Sequence, residues 1–178
     1  MITIISGTNR KDSVTGQVSS YLLSLLKEAG MSSQLLSLEG LEGDLLHDEM
    51  YAEAGQSAQI KNLQDRYITE ASKLIIISPE YNGSFPGILK LFIDAISVRN
   101  YASNFKNKKI ALVGVSSGWA GNFRGMDHLA EILAHQGGVC LPKRMALPNI
   151  GENFDKEGVK NEKLKGRLIE FIDTFDAF

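Results

Sequence analysis

Three short apolar runs constrain this 178-residue chain most: 2–5, 74–77 and 110–115. Each is rich in β-branched residues and ends in a cluster of Ser, Gly, Asn or Pro. Near-continuous apolar runs of four to eight residues, as opposed to alternating ones, describe strands covered on both faces, as in a parallel sheet. Weaker runs at 34–38 and around 139–141 supply two more strands. The segments between them have helical spacing. Val18, Leu22, Leu25 and Leu26 form one stripe, stopped at Gly30. Ile60, Leu63, Tyr67, Ile68 and Ala71 form another, and Ile88, Leu91, Phe92, Ala95 and Ile96 a third. Leu129, Ile132 and Leu133 lie in a fourth ending at Gly137-Gly138. Leu164, Leu168, Ile169, Ile172 and Phe175 make a closing helix. Strand and helix thus alternate, which predicts an α/β three-layer sandwich. Two windings fit, the dinucleotide type and a five-stranded parallel sheet of order 2-1-3-4-5; five strands favour the second. The polar, acidic stretch 39–56 reads as a long surface excursion after the second strand.

Length and charge narrow the rest. The chain fits a single domain over 1–178. Its 19 Lys plus Arg nearly balance 21 Asp plus Glu, so no field draws it to nucleic acid or anionic membranes. No apolar stretch reaches the roughly 20 residues of a membrane-spanning helix, and the first residues lack the basic region of a signal peptide. The lone Cys140 excludes an internal disulfide framework and favours a cytoplasmic, reducing compartment. It reads as a small buried hydrophobe. His47, His128 and His135 lack metal-ligand spacing, and no G-x-S-x-G elbow is present.

In a sheet of this winding, ligands bind beyond the carboxyl ends of the strands where the order reverses. The loops after strands one, three and four are therefore the places to read for chemistry. The first contains Ser6-Gly7-Thr8-Asn9-Arg10-Lys11-Asp12-Ser13-Val14-Thr15 and opens a helix. A helix N-terminus presents unpaired N–H groups and a partial positive charge, to which Thr8, Ser13 and Thr15 add hydroxyls and Arg10 a forked cation. This composition suits a terminal monophosphate; a bare helix cap at Ser13 or Asp12 with Arg10 in solvent fits equally. The loop is neither G-x-G-x-x-G nor G-x-x-x-x-G-K-[ST].

The second loop, Pro79-Glu80-Tyr81-Asn82-Gly83-Ser84-Phe85-Pro86-Gly87, places a tight turn at Asn82-Gly83 and Pro86 in the first turn of the next helix. Its amides and aromatic rings suit a flat heterocycle, or else describe a turn with buried Tyr81 and Phe85. Lys90 and Asp94 stand four apart, as an intrahelical ion pair or an intersubunit contact. The third loop runs Ser116-Ser117-Gly118-Trp119-Ala120-Gly121-Asn122-Phe123-Arg124. Trp119 and Phe123 read as packing beneath it, or else as narrowing a substrate face, and Arg124 as a solvated side chain or a partner for a nucleotide phosphate.

Together, Gly7-Thr8-Asn9-Arg10-x-x-Ser13-x-Thr15 and Pro79-Glu80-Tyr81-Asn82-Gly83-Ser84-x-Pro86-Gly87-x-Leu89-Lys90-x-x-x-Asp94 resemble the NADPH-dependent FMN reductase family, which includes NAD(P)H-quinone, azo-dye and chromate reductases. The resemblance implies a flavodoxin-like fold holding FMN, with NADPH or NADH as co-substrate. It implies Thr8, Arg10, Ser13, Val14 and Thr15 around the phosphate, and Pro79, Glu80, Tyr81, Asn82, Gly83 and Ser84 beside the isoalloxazine. The backbone of the Ser116-Ser117-Gly118 loop would approach the ring. It further implies a homodimer or homotetramer meeting near the helix after the second motif. The expected activity is hydride transfer from NAD(P)H through flavin to a small-molecule electron acceptor: a quinone, free flavin, azo compound or metal oxyanion. A flavodoxin-like electron carrier and a non-catalytic flavin-binding protein are the alternatives. Trp119 and Phe123 depart from the family's glycine-rich third loop.

Overall fold

The computed structural model describes residues 1–52, 55–155 and 158–178. Five parallel positions form the sheet, β2-β1-β3-β4-β5, built from β1 (Ile2–Ser6), β2 (Ser33–Ser37), β3 (Lys73–Pro79), β4 (Lys109–Val115) and β5 (Val139–Cys140). The predicted winding is the one observed. The fifth position, however, is shared. β5 pairs with the start of β4 (Ile110↔Cys140), and β6 (Met145–Leu147) pairs with its end (Val115↔Leu147). Pro142, which has no N–H to donate, lies in the gap and accounts for the break.

Strand residues of one parity pack against α1 (Val14–Glu28) and α8 (Glu162–Ala177), where Ile4, Ile75, Ile77, Val113 and Val115 meet Leu22, Leu26, Leu168 and Phe175. Those of the other parity, including Ile5, Leu74, Ile76 and Leu112, meet α4 (Gly87–Ser97) and α6 (Phe123–His135) through Phe92, Ile96, Leu129 and Leu133. Each buried side chain of this size contributes about 1.5–3 kcal/mol over leaving it in water. Burial on both faces is why the strands read as unbroken apolar runs.

Three expectations need correction. The 39–56 stretch is not a pure surface excursion: Leu41, Leu45 and Met50 are buried and α2 (Glu42–Leu45) packs near α4, while Glu39, Asp48 and Glu49 stay in water. Residues 53–54 of that stretch lie outside the described ones. Ile169 faces solvent, because its neighbours Leu168 and Ile172 already fill the face of α8 turned to the sheet. The stripe from Ile60 to Ala71 is not one α-helix. It runs as α3 (Ala58–Leu63) into a π-helical turn, Gln64–Thr69. Four further elements had no sequence signal: α5 (Tyr101–Phe105), α7 (Ile150–Asn153) and the antiparallel pair β7 (Phe154–Asp155) and β8 (Gly158–Val159).

Cys140 is half-buried, and burial pushes its thiol up to about 11. The thiolate is the reactive form. At pH 8 Cys140 is therefore expected to alkylate roughly a hundredfold more slowly than an unperturbed thiol. Timed iodoacetamide labelling read by mass spectrometry checks this, and labelling at the rate of a free thiol contradicts it. No helix among the described residues is long and apolar enough to cross a membrane.

Candidate active site

The site is assembled from three loops at the carboxyl edge of β1, β3 and β4. On the first, Ser13 is the N-cap of α1, and its Oγ accepts from the Gly16 N–H at 3.0 Å. That bond uses a lone pair and leaves the Ser13 proton free to donate outward. The N–H groups of Val14 and Thr15, in the first turn, have no intrahelical acceptor. The cap thus leaves the loop chemically able to hold an anion as well. The exposed Arg10 has no ion-pair partner among the described residues. Thr8, almost fully buried, accepts from the Arg10 N–H at 3.2 Å and meets the Tyr81 hydroxyl at 3.2 Å, tying the first loop to the second.

The second loop folds as the Asn82-Gly83 dipeptide predicts. Tyr81 and Ser84 exchange both backbone hydrogen bonds, at 2.8 and 3.1 Å. Asn82 at φ 51° and Gly83 at φ 79° make the two-residue turn. Asparagine tolerates this left-handed region and glycine enters it without cost. The exchange consumes the N–H of Tyr81 and Ser84 and leaves those of Asn82 and Gly83 at the tip. Pro86 sits one place earlier than expected, as the N-cap of α4. Lys90 and Asp94 pair within α4 at 2.7 Å, contributing a few tenths of a kcal/mol at this exposure.

The third loop is closed by its own first residue. Ser116 Oγ donates to the Gly118 carbonyl at 2.7 Å and accepts from the Gly121 N–H at 2.8 Å. Its hydroxyl is therefore committed to the loop's shape. Ser117 and Gly118 are exposed. Glu80 is committed as well: its Oε2 accepts from the Asn122 N–H at 3.2 Å, and its own N–H donates to the Val115 carbonyl at 2.9 Å.

A crevice of about 260 Å³ runs between these loops. Thr8, Arg10, Ser13, Val14 and Thr15 line one end; Pro79, Glu80, Tyr81, Ser116 and Ser117 line the other. Of the remaining expected site residues, Asn82 and Gly83 are at the turn tip, Ser84 is turned toward His128, and Gly118 lies at the loop edge beyond the lining. Sequence reading missed Lys11, Asp12, Val115 and Ile150, which also line the crevice. Ile150 arrives from α7, whose N–H bonds the Ser116 carbonyl at 3.0 Å; no local motif announces a contact 34 positions away. Trp119 and Phe123 overturn the packing expectation. They are 81% and 52% exposed, while the loop below them is closed by the bonds of Ser116 and Asn122. Arg124 is solvent-exposed. No group of His, Cys, Asp and Glu among the described residues could hold a metal ion.

The donor set fits a phosphorylated flat heterocycle: free helix N–H groups, hydroxyls and one cation at one end, with turn amides and Tyr81 at the other. Residues 1–152 match the model of the NADPH-dependent FMN reductase family. The chain belongs to that family. It is 28% identical over 178 residues to a quinone reductase of Pseudomonas putida, covering 99% of this chain and 93% of that protein. It is 30% identical over 155 residues to an NAD(P)H-dependent FMN reductase of Pseudomonas aeruginosa, covering 86% and 80%. Among solved structures it superposes on the flavoenzyme NAD(P)H:acceptor oxidoreductase FerB of Paracoccus denitrificans with a TM-score of 0.78 and 30% identity, covering 98% and 93%. As a family member it is an FMN-dependent NAD(P)H oxidoreductase with a flavodoxin-like fold.

Proposed function

We propose that FMN lies along this crevice, phosphate at Thr8, Arg10, Ser13, Val14 and Thr15, ring along 79–84 and the 116–118 loop. NAD(P)H and a small acceptor then use the open face in turn. The observation that carries the proposal is the meeting of both motifs in one crevice at the topological switch point. When bound, the flavin supplies the hydride chemistry and the protein supplies orientation and electrostatics. The Val14 and Thr15 N–H groups and the Ser13 hydroxyl bind the phosphate, and Arg10 neutralises it. The free amides of Asn82 and Gly83 are fixed dipoles that favour negative charge at the ring edge. No protein nucleophile is called for. Quinones and azo compounds are the acceptor classes favoured by the relatives, with free flavin and metal oxyanions as further acceptors. The reading places the enzyme in the cytoplasm, as a homodimer or homotetramer meeting on the outer face of α4.

The protein is expected to purify yellow, to bleach on anaerobic NADPH addition, and to regain colour with a quinone and no partner protein. Arg10→Ala should weaken FMN roughly tenfold. A colourless protein that ignores added FMN sinks the proposal; bound FMN without quinone turnover converts it to an electron carrier.

A further inference from the structure

Asn122 carries no motif, yet it is the most connected side chain between the two ring-bordering loops. The parallel ladder of β3 and β4 ends at Pro79↔Val115, and the Glu80 N–H adds one last backbone bond to Val115. Beyond that point backbone pairing no longer sets the distance between the loops. Asn122 does. Its side chain is 0% exposed, and Nδ2 donates to the Ser78 carbonyl (3.1 Å), the Ser78 hydroxyl (3.1 Å) and the Pro79 carbonyl (2.9 Å). Its own N–H donates to Glu80 Oε2 at 3.2 Å. The residue sits at φ 61°, ψ 33°, a left-handed conformation that asparagine and glycine adopt most readily.

The same face of α6 reaches the far end of the turn. A Cβ on Gly125 would lie 2.7 Å from the Ser84 carbonyl carbon and 2.1 Å from Asn122 Oδ1, so helix and turn are in direct contact there. One turn on, His128 Nδ1 meets Ser84 Oγ at 2.9 Å. Both ends of 78–84 are therefore held on Asn122, Gly125 and His128. Asn122 Oδ1 is buried without a partner. An orphaned buried acceptor costs about 1–3 kcal/mol, a cost that geometry imposes: aiming both amide hydrogens at the Ser78–Pro79 carbonyls turns the oxygen away from every donor.

We infer that Asn122 is a positioning residue for the flavin ring, setting the separation of the Pro79–Ser84 and Ser116–Gly118 loops that border the planar tricycle. The inference rests on the FMN reading above. A ring bordered by two loops loses contact with one of them when they drift apart, whereas Ser13, Val14 and Thr15 at the phosphate end are placed by α1, and the side-chain bonds of Asn122 run to Ser78 and Pro79.

Asn122→Gly removes the amide while keeping the left-handed backbone and its N–H bond to Glu80. The stripped apoprotein is titrated with FMN and with riboflavin, which has the ring without the phosphate. The expected result is a loss of at least tenfold in affinity, equal for the two flavins, with the spectrum of the residual complex moved toward that of free flavin. Unchanged affinity overturns the inference, and so does a loss for FMN alone, since that places the effect at the phosphate. Should Asn122→Gly fail to fold, Ser78→Ala removes one of the three acceptors; it should give a smaller, again equal loss, and an unchanged riboflavin affinity there overturns the inference too. A wild-type protein that binds neither flavin overturns the FMN reading itself, and this inference with it.

Discussion

Replacing Gly114 with alanine is expected to lower stability by about 2–3 kcal/mol and to abolish flavin retention through purification. Gly114 lies in β4 between its partners Ser78 and Ala146. A Cβ there would stand 2.1 Å from the Gly121 carbonyl oxygen, 2.8 Å from Met126 Cε and 3.1 Å from Asn122 Cβ. The methionine end can swing away, but the carbonyl belongs to the backbone of the third loop. That loop is pinned on all sides, by Ser116 Oγ, by Asn122 to Ser78 and Pro79, and by the Asn149 N–H to the Gly118 carbonyl at 2.9 Å. Its displacement therefore carries the crevice wall with it. Thermal denaturation and FMN titration of the purified variant check the two parts separately. A variant that melts like the wild type and binds FMN normally would show that the loop moves freely off the strand.

A still larger loss of stability, about 3–5 kcal/mol and so roughly 10 °C in melting temperature, is expected for Gln64→Leu. Gln64 is fully buried at the start of the π-helical turn. Its Nε2 donates to the carbonyls of Ile96 (3.0 Å) and Arg99 (2.7 Å) and to Asn104 Oδ1 (2.7 Å). Its Oε1 accepts from Gln56 Nε2 at 2.7 Å, and Gln56 also reaches the Ala95 carbonyl at 3.1 Å. Asn104 Nδ2 bonds Ile96 O at 2.7 Å. Together these side chains satisfy the carbonyls left open where α4 ends. Leucine approximates the volume but removes the donor to the Arg99 carbonyl and Asn104 Oδ1 and the acceptor for one Gln56 N–H, polar atoms that are costly to leave unpaired where they are buried. Urea unfolding with an unchanged m-value measures the effect. A shift under about 1 kcal/mol would mean that water enters and replaces the glutamine. Because α4 starts just after the Asn82-Gly83 turn, the flavin affinity of the folded fraction should change far less than its stability.

Much of the site was legible in the residues because its chemistry is local. Asn82-Gly83 specifies its own turn, Ser13 caps its own helix, and the apolar runs report strands covered on both faces. At the first loop the helix cap at Ser13 is observed, and it leaves the phosphate reading open, since a hydroxyl that accepts a capping bond keeps its proton to donate. The misreadings share a different cause. Trp119 was expected to pack beneath the third loop, but that loop is closed by the polar groups of Ser116 and Asn122 and the indole is exposed. The acidic 39–56 stretch hid Leu41, Leu45 and Met50, whose spacing is too irregular to signal burial by period.

Local pattern alone, then, determined the strands and most of the helices behind the sheet, favoured the observed winding, and marked the two motif-bearing loops, since periodicity, turn conformation and capping act over a few residues. Tertiary structure decided the shared fifth strand position, the arrival of Ile150 at the crevice, the amide cluster around Gln64 and the strut at Asn122. Those depend on partners such as Asn122 and Ser78, 44 positions apart, and which donor meets which acceptor at that separation is set by how the layers pack, not by any spacing within one segment.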